Sequence, residues 1–340
     1  MVEINTVKKH HYKDLAYFLS HSPYHVSFQE ASEDFWYRKF YFWWENNPAF
    51  NEKLIRGLIL ENKGIIVGFV GCIPSFFQLS GKQITVFNET TWRVEKSFRG
   101  INSIKLVLNL IEYTQKTIHF RYGGLDEAEK MQKWIGFEKI FPKGKDKSYI
   151  FIINLTNVIF KKFPFIVKSK YLVKFLKKII LPLQFIINSK INKISEPYDV
   201  KIIDKADRSF DELWESNKSK FLNTNVRTSQ VINWYCSNKG IQNNILFGCY
   251  KENKLLGYLL CTCDKEMPLK RITIVDIWGN MDDLLVIKSL LYSVFKFGLE
   301  QNYDLVFVPK LYDNIKKLDK IYFLQGQYVP IRYKAKENIL

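Results

Sequence analysis

Cysteine is scarce in this chain, and the few that occur are badly spaced for chemistry. Five are found in 340 residues (Cys72, Cys236, Cys249, Cys261 and Cys263), with no CxxC pair and no zinc spacing. That excludes a disulfide framework and a zinc module, and makes a reducing cytoplasm the simplest compartment. Cys261 and Cys263, two apart on an expected strand, read as small hydrophobes sharing one face. Long apolar runs are also missing. No stretch of about 18 uncharged apolar residues exists, so no membrane-spanning helix is expected. Residues 2–14 are polar and charged, so no signal peptide is expected. His10, His11, His21 and His25 have no cysteine or carboxylate partner at metal spacing; they read as solvated loop histidines, and no metal is expected.

One absence is local. Between Phe151 and Ser195 there is no acidic residue, while Lys161, Lys162, Lys168, Lys170, Lys174, Lys177, Lys178, Lys190 and Lys193 supply positive charge. From 169 to 180, Lys170, Lys174, Lys177 and Lys178 make one helical face; Leu172, Phe175, Leu176 and Ile179 make another. Two readings stay open for 161–193: a basic amphipathic helix lying on an anionic membrane surface, or a connector packed between domains. The net charge of +17 implies anionic company in general, whether nucleic acid, acidic lipid or a phosphorylated cofactor.

What is present centres on residues 84–140. A β-branched and aromatic run at 84–94 leads into Glu95-Lys96-Ser97-Phe98-Arg99-Gly100. Ile104, Val107, Leu108 and Ile111 then keep helical spacing. A short strand at 117–122 follows, then a helix begun at Asp126 and ended at Gly136, and a strand from Phe137. A turn feeding a helix start presents backbone N–H groups and the positive end of the helix dipole, where phosphates bind. Gly100 permits close approach, and Lys96, Arg99 and Lys105 add charge.

Two motifs in this stretch, Val94-Glu95-Lys96-Ser97-Phe98-Arg99-Gly100 and Trp134-Ile135-Gly136-Phe137-Glu138, resemble the pyrophosphate loop and late helix of GNAT (Gcn5-related) N-acyltransferases. Asn102 and Ile104 stand where the family's later glycines fall, and Gln132 where its tyrosine acid does. The resemblance implies an acetyl-CoA or other acyl-CoA co-substrate. Trp92, Arg93 and Val94 would hold its pantetheine arm, with Lys96, Arg99, Gly100, Asn102 and Ser103 at its pyrophosphate. It implies Glu89, on the strand before the loop, as the base that takes a proton from an amine, and Tyr122 as a substitute acid. The aromatic-rich helix at 33–48 would place Trp36, Phe40 and Trp43 on the acceptor side.

From Val200 the pattern of helices, hairpin, strand, helix, strand and helix starts again. Here Asp282 and Asp283 replace the basic loop, so this half is expected to bind no CoA. The expected fold is α/β: two tandem GNAT-like domains, each a mixed, mostly antiparallel sheet flanked by helices. They would span 1–150 and 198–340, joined by the basic segment 151–197. The function implied by resemblance is acyl transfer to a small-molecule amine, such as an amino sugar or nucleotide-sugar in surface-glycan assembly. A Fem-like aminoacyltransferase is the first rival and the one route to a nucleic acid, through aminoacyl-tRNA; a non-catalytic GNAT-like scaffold binding glycan or protein is the second. The expected location is cytoplasmic, or peripheral at the inner face of the membrane.

Overall fold

The period-two runs of Val, Ile, Phe and Thr fold as strands, and the three-to-four apolar spacings fold as helices. The computed structural model describes residues 2–23, 25, 27–114, 117–122, 126–140, 147–192, 197–238, 240–280, 282–309, 324–327 and 331–334. The first sheet takes β1 (Val2–Thr6), β2 (Gly57–Asn62), β3 (Ile65–Leu79), β4 (Lys82–Val94), β5 (His119–Tyr122) and β6 (Glu138–Lys139). One more strand, β15 (Ile331–Lys334), arrives from the far end of the sequence and lies between β5 and β6. A two-residue strand, β9 (Thr224–Asn225), pairs with β3. Neighbours run antiparallel except β4 and β5, which are parallel.

This sheet carries helices α1 (Tyr12–Ser20), α2 (Glu33–Phe40), α3 (Ile101–Tyr113) and α4 (Asp126–Ile135) in its own stretch of chain. Leu58, Leu60, Val70 and Phe87 pack with Leu106, Val107 and Leu110 of α3, and with Ile135 and Phe137. The burial drives assembly; each such side chain contributes about 1.5–3 kcal/mol.

The second sheet has β7 (Lys147–Ile152), β8 (Asp199–Ile203), β10 (Asn243–Lys251), β11 (Lys254–Asp264), β12 (Arg271–Gly279), β13 (Leu305–Pro309) and β14 (Leu324–Gln327). Its order is β14-β7-β13-β12-β11-β10-β8, and again one central pair, β12 with β13, is parallel. Helices α5 (Leu155–Lys162), α6 (Pro164–Val167), α7 (Lys170–Asn192), α8 (Arg208–Asn217), α9 (Ser229–Cys236) and α10 (Leu284–Glu300) accompany it. Leu290, Val294 and Phe295 of α10 seal its core against Leu259, Ile272 and Ile274. Both sheets are mixed and flanked by helices, as expected.

The chain divides into one unit of 1–142, 220–226 and 329–340, and another of 143–219 and 227–328. The expected boundaries at 150 and 198 differ from this for a physical reason. Strand β7 finds its ladder on β13 and β14, and β15 finds its own on β5 and β6, so pairing partners cross the sequence midpoint. Segment 151–197 is accordingly part of the second unit.

Two local expectations are corrected. The helix expected across 33–48 is α-helical only to Phe40 and then becomes a π turn, Tyr41–Glu45. The sequence also places a proline, an expected strand stop, at Pro74, yet β3 runs on through it to Leu79. Pairing with β2 ends at Gly71 and with β9 begins at Phe77, so Pro74 lies where β3 has a free edge and no ladder needs its missing N–H. The last helix of the pattern that restarts at Val200, expected over 314–324, lies outside the described residues but for Leu324, which is strand. Among the described residues, no helix is long and apolar enough to cross a membrane.

Candidate active site

The site begins as a fault in a ladder. Gly71 pairs with Thr90 and Phe69 with Arg93, so Thr91 and Trp92 together oppose a single residue of β3. Thr91 accommodates this bulge in the left-handed region, at φ 50°. On its other side, β4 pairs with β5 only from Phe87 to Glu89. Beyond Glu89 the edge of β4 has no ladder partner among the described residues, so the backbone of Thr90–Val94 is left able to bond an extended ligand.

That open edge runs directly into the loop singled out in the sequence. The Glu95 N–H donates to the Val67 carbonyl at 2.9 Å, and Phe98 N–H donates back to Glu95 O at 2.9 Å. The Arg99 side chain closes the loop by donating from Nε to Val94 O at 2.9 Å. Gly100 then caps α3 at φ 80° and ψ −125°, a conformation that favours glycine and leaves the helix start without a capping side chain. The carbonyl of Gly100 accepts from Ser103 N–H at 3.1 Å and from Ile104 N–H at 3.3 Å, which leaves the Ile101 and Asn102 amides of α3 with no intrahelical acceptor. Asn102 turns its amide back to Phe98 O at 3.2 Å. Lys96, Arg99 and Gly100 are exposed. A cavity of about 1080 Å³ adjoins this loop, walled by Arg93–Ser97, the β2–β3 turn at Gly64–Ile66, and Asp14, Tyr17, Phe18 and His21 of the α1 end.

Five residues up β4 from Val94 lies Glu89, roughly 16 Å away along an extended strand. It is buried, outside the cavity wall, and opposes Arg121 of β5 in register. Its Oε1 lies 3.1 Å from the Arg121 guanidinium, and its Oε2, 3.9 Å from His119 Nε2, receives no hydrogen bond among the described residues. Burial pushes the Glu89 carboxyl above the usual range, with Arg121 opposing that shift. Burial, then the charges of Arg121 and Lys334, depress His119 to about 3, so its ring is neutral. Thr114 Oγ1 lies 2.8 Å from Leu110 O and 3.0 Å from His119 Nδ1. With the hydroxyl proton given to Leu110, Nδ1–H must donate to Thr114, which leaves the Nε2 lone pair facing Glu89. The Arg121 guanidinium also lies 5.0 Å over the Trp92 ring, whose buried Nε1 has no acceptor among the described residues. This is a buried proton-accepting corner held by one cation.

Sequence reasoning found Glu89 and missed His119 and Arg121. The signal was legible: in His119-Phe120-Arg121-Tyr122 an imidazole and a guanidinium alternate with aromatics, so a short inner strand directs both to one face. The same alternation places Tyr122, half exposed, on the face opposite Arg121 and Glu89.

The aromatic residues expected at the acceptor are corrected too. Trp36 and Phe40 are fully buried and Trp43 nearly so, with Phe40 stacked on Trp44 at 5.4 Å and Trp36 against Trp43 at 6.2 Å. Trp36 Nε1 donates to Glu30 O at 2.8 Å and Trp44 Nε1 to Cys72 O at 2.9 Å, so both indoles are satisfied inside the core. The Lys39 amine sits 4.8–5.1 Å over Phe35, Trp36 and Trp43, and burial lowers its pKa to about 8. Arg93 is likewise committed: it pairs with Glu30 and donates to Leu19 O at 3.2 Å. Among the described residues no group of three or more His, Cys, Asp or Glu is placed to hold a metal.

The late helix motif has a plain geometric meaning. Gly136 takes φ 92°, and Phe137 N–H donates to Gln132 O at 2.9 Å, which closes α4. Phe137 then meets the His119 ring edge-on at 5.9 Å.

No protein-family model matches the sequence, and no curated protein matches it. Solved structures do. The GCN5-related N-acetyltransferase of Anabaena variabilis superimposes with a TM-score of 0.61 at 12% identity, over 98% of this chain and 72% of its own. The counterpart from Kribbella flavida gives 0.61 at 11% identity, over 98% and 71%. N-myristoyltransferase of Saccharomyces cerevisiae, solved with bound myristoyl-CoA, gives 0.56 at 12% identity, over 98% and 83%. At such identities the likeness is one of fold: this chain has the α/β fold of the GNAT acyltransferases.

Proposed function

We propose that the protein is an acyl-CoA-dependent N-acyltransferase. One observation carries this reading: the edge of β4, unpaired beyond Glu89 among the described residues, runs into the side-chain-free start of α3, beside a cavity of about 1080 Å³. An extended arm with amide groups would bond the strand edge, and a pyrophosphate would take the first-turn amides of α3 with Lys96 and Arg99 alongside. Glu89 lies one arm's length up the strand. In the reaction, the acceptor nitrogen forms a bond to the thioester carbonyl carbon, the carbon–sulfur bond breaks, and the electron pair leaves on sulfur. The nitrogen's proton passes to the Glu89–His119 corner, whose raised carboxyl and neutral imidazole suit proton acceptance. The bound myristoyl-CoA of the yeast neighbour supports an acyl-CoA donor.

For the acceptor we assign an amine on a polar carrier, with amino sugars as the first class to screen. This class follows from the resemblance of the sequence; Asp14, Tyr17 and His21 line the cavity at its loop end, an arm's length from Glu89, beside the nucleotide part of the donor. Surface-glycan assembly would be the setting. A non-catalytic scaffold is the second reading, favoured by the buried pairing of Glu89 with Arg121.

The test is thermal denaturation with acetyl-CoA and myristoyl-CoA, beside a Gly100→Asp variant that plugs the α3 start with a carboxylate. Ligand at about 100 times its dissociation constant adds roughly 2.7 kcal/mol to wild-type stability. That gain vanishes in Gly100→Asp. If no acyl-CoA stabilises the wild type, the acyltransferase reading is wrong; stabilisation by aminoacyl-tRNA instead would make the chain a Fem-like enzyme.

A further inference from the structure

Helix α7 has three faces, and two of them have no partner among the described residues. At 100° per residue, Val173, Ile180, Gln184, Ile187 and Ile191 share one side. Ile180 and Ile191 are buried there, Ile187 packs on the second core, and Gln184 Nε2 donates to the Ile153 carbonyl. That side docks the helix. Tyr171, Leu172, Phe175, Ile179, Leu183 and Ile186 fall within about 120° of arc on another side, and all six are exposed. Tyr171 is 89% exposed and Phe175 62%. The third side carries Lys170, Lys174, Lys177 and Lys178, with Phe185, 73% exposed, among them. Just upstream, Phe163, Phe165 and Val167 are exposed beside Lys161 and Lys162.

An apolar arc of this size facing water is unfavourable unless something covers it. The charge says what. No acid occurs between Phe151 and Ser195, and among the described residues none of these lysines pairs with a carboxylate. A protein partner would be read by shape and by directional bonds; this surface offers aromatic and aliphatic bulk flanked by flexible ammonium groups. The helix is too charged to span a bilayer, yet its 23 residues are long enough, at roughly 35 Å, to lie along one.

We propose that α5, α6 and α7 form a docking surface for an anionic phospholipid bilayer. Phe175, Ile179 and Leu183 enter the boundary between headgroups and acyl chains, while Lys170, Lys174, Lys177 and Lys178 reach back to the phosphates along their own aliphatic stems. Surface charge and apolar insertion contribute separately, so each can be removed alone. The proposal is independent of the acyl-CoA reading: Gly100→Asp leaves lipid binding unchanged, and the lysine variants leave the acyl-CoA thermal shift unchanged.

The experiment is vesicle flotation of the full chain, with phosphatidylglycerol mixed into phosphatidylcholine against phosphatidylcholine alone. Wild type floats with the anionic vesicles only, and less as salt is added. The triple variant Lys174→Gln, Lys177→Gln, Lys178→Gln weakens that binding roughly a hundredfold. Phe175→Ser with Ile179→Ser also weakens it and leaves the salt dependence in place. All five positions are exposed, and far-ultraviolet circular dichroism checks that the variants stay folded. A Tyr171→Trp reporter shifts its emission to the blue on vesicles. No flotation of wild type at low salt overturns the proposal, as does equal flotation of every variant. So does a dimer by light scattering that Phe175→Ser breaks, which would give the face to a second copy, or binding to tRNA in place of vesicles.

Discussion

The two sheets run the same course and finish it in opposite ways. In each, an antiparallel hairpin leads to a strand that turns parallel to its neighbour, β4 to β5 and β12 to β13, and then to a helix, α3 or α10. At the start of α3 stands Gly100, without a side chain. At the start of α10 stands Asp283, whose Oδ1 accepts from Leu285 N–H at 2.9 Å and whose Oδ2 accepts from Tyr198 OH at 2.9 Å. The second helix already holds its anion, as part of its own chain. The inner carboxylates repeat the contrast. Asp276 receives Arg227 Nε at 2.8 Å and Nη2 at 3.0 Å, and Tyr258 OH at 2.7 Å. Among the described residues Glu89 has Arg121 as its one charged partner beside the neutral His119, and one of its oxygens receives no hydrogen bond. A saturated carboxylate and a capped helix stabilise a fold; an unsaturated carboxylate and an open helix leave room for a ligand.

The comparison can be broken most forcefully at the arginines. Arg121→Met leaves Glu89 buried, its side chain 3% exposed, with no cation. It is expected to lower stability by about 3 kcal/mol at neutral pH. The loss shrinks as pH falls, because the raised carboxyl takes a proton sooner than an ordinary one and no naked charge then remains. Arg227→Met leaves Asp276 23% exposed and still bonded to Tyr258, so about 1 kcal/mol is expected there. Urea titrations at two pH values measure both; equal losses would erase the distinction between the carboxylates.

A smaller effect sharpens the first sheet's side. His119 is held at about 3 against its ordinary 6.5, so below pH 6.5 the unfolded chain takes a proton that the folded chain refuses. Stability present above pH 6.5 is therefore lost as pH falls, at about 1.4 kcal/mol per unit. Between pH 6.5 and 5, wild type should lose about 2 kcal/mol more than His119→Gln, read from melting temperatures across pH. The smallest effect lies in the second sheet. Asp283→Ala removes a helix cap, for about 1 kcal/mol. It opens the α10 start without adding a cation, so no acyl-CoA binding is gained, which calorimetry would check.

How much of this could be read beforehand follows the range of the interactions. The strand, basic loop and helix at 84–113 are local, and the sequence pattern located them, Gly100 included. Gly136 as a helix stop was local as well. The aromatic run at 33–48 was legible as a helical stripe, but whether a stripe faces ligand or core depends on what packs against it, and here Cys72 and Glu30 supply acceptors from elsewhere. His119 and Arg121 belong to a strand whose neighbours are β4 on one side and β15, about two hundred residues later, on the other. No local pattern specifies such a pairing, since loop closure over that length is decided by tertiary fit.

The position of β15 also sets a timetable for the protein's birth. A ribosome adding 5–20 residues per second needs roughly ten to forty seconds to travel from residue 142 to residue 331. Through that interval the strand that belongs between β5 and β6 has not been made, and the first half waits with a missing stave. The half that carries the candidate active site is thus the first to be translated and among the last to be finished.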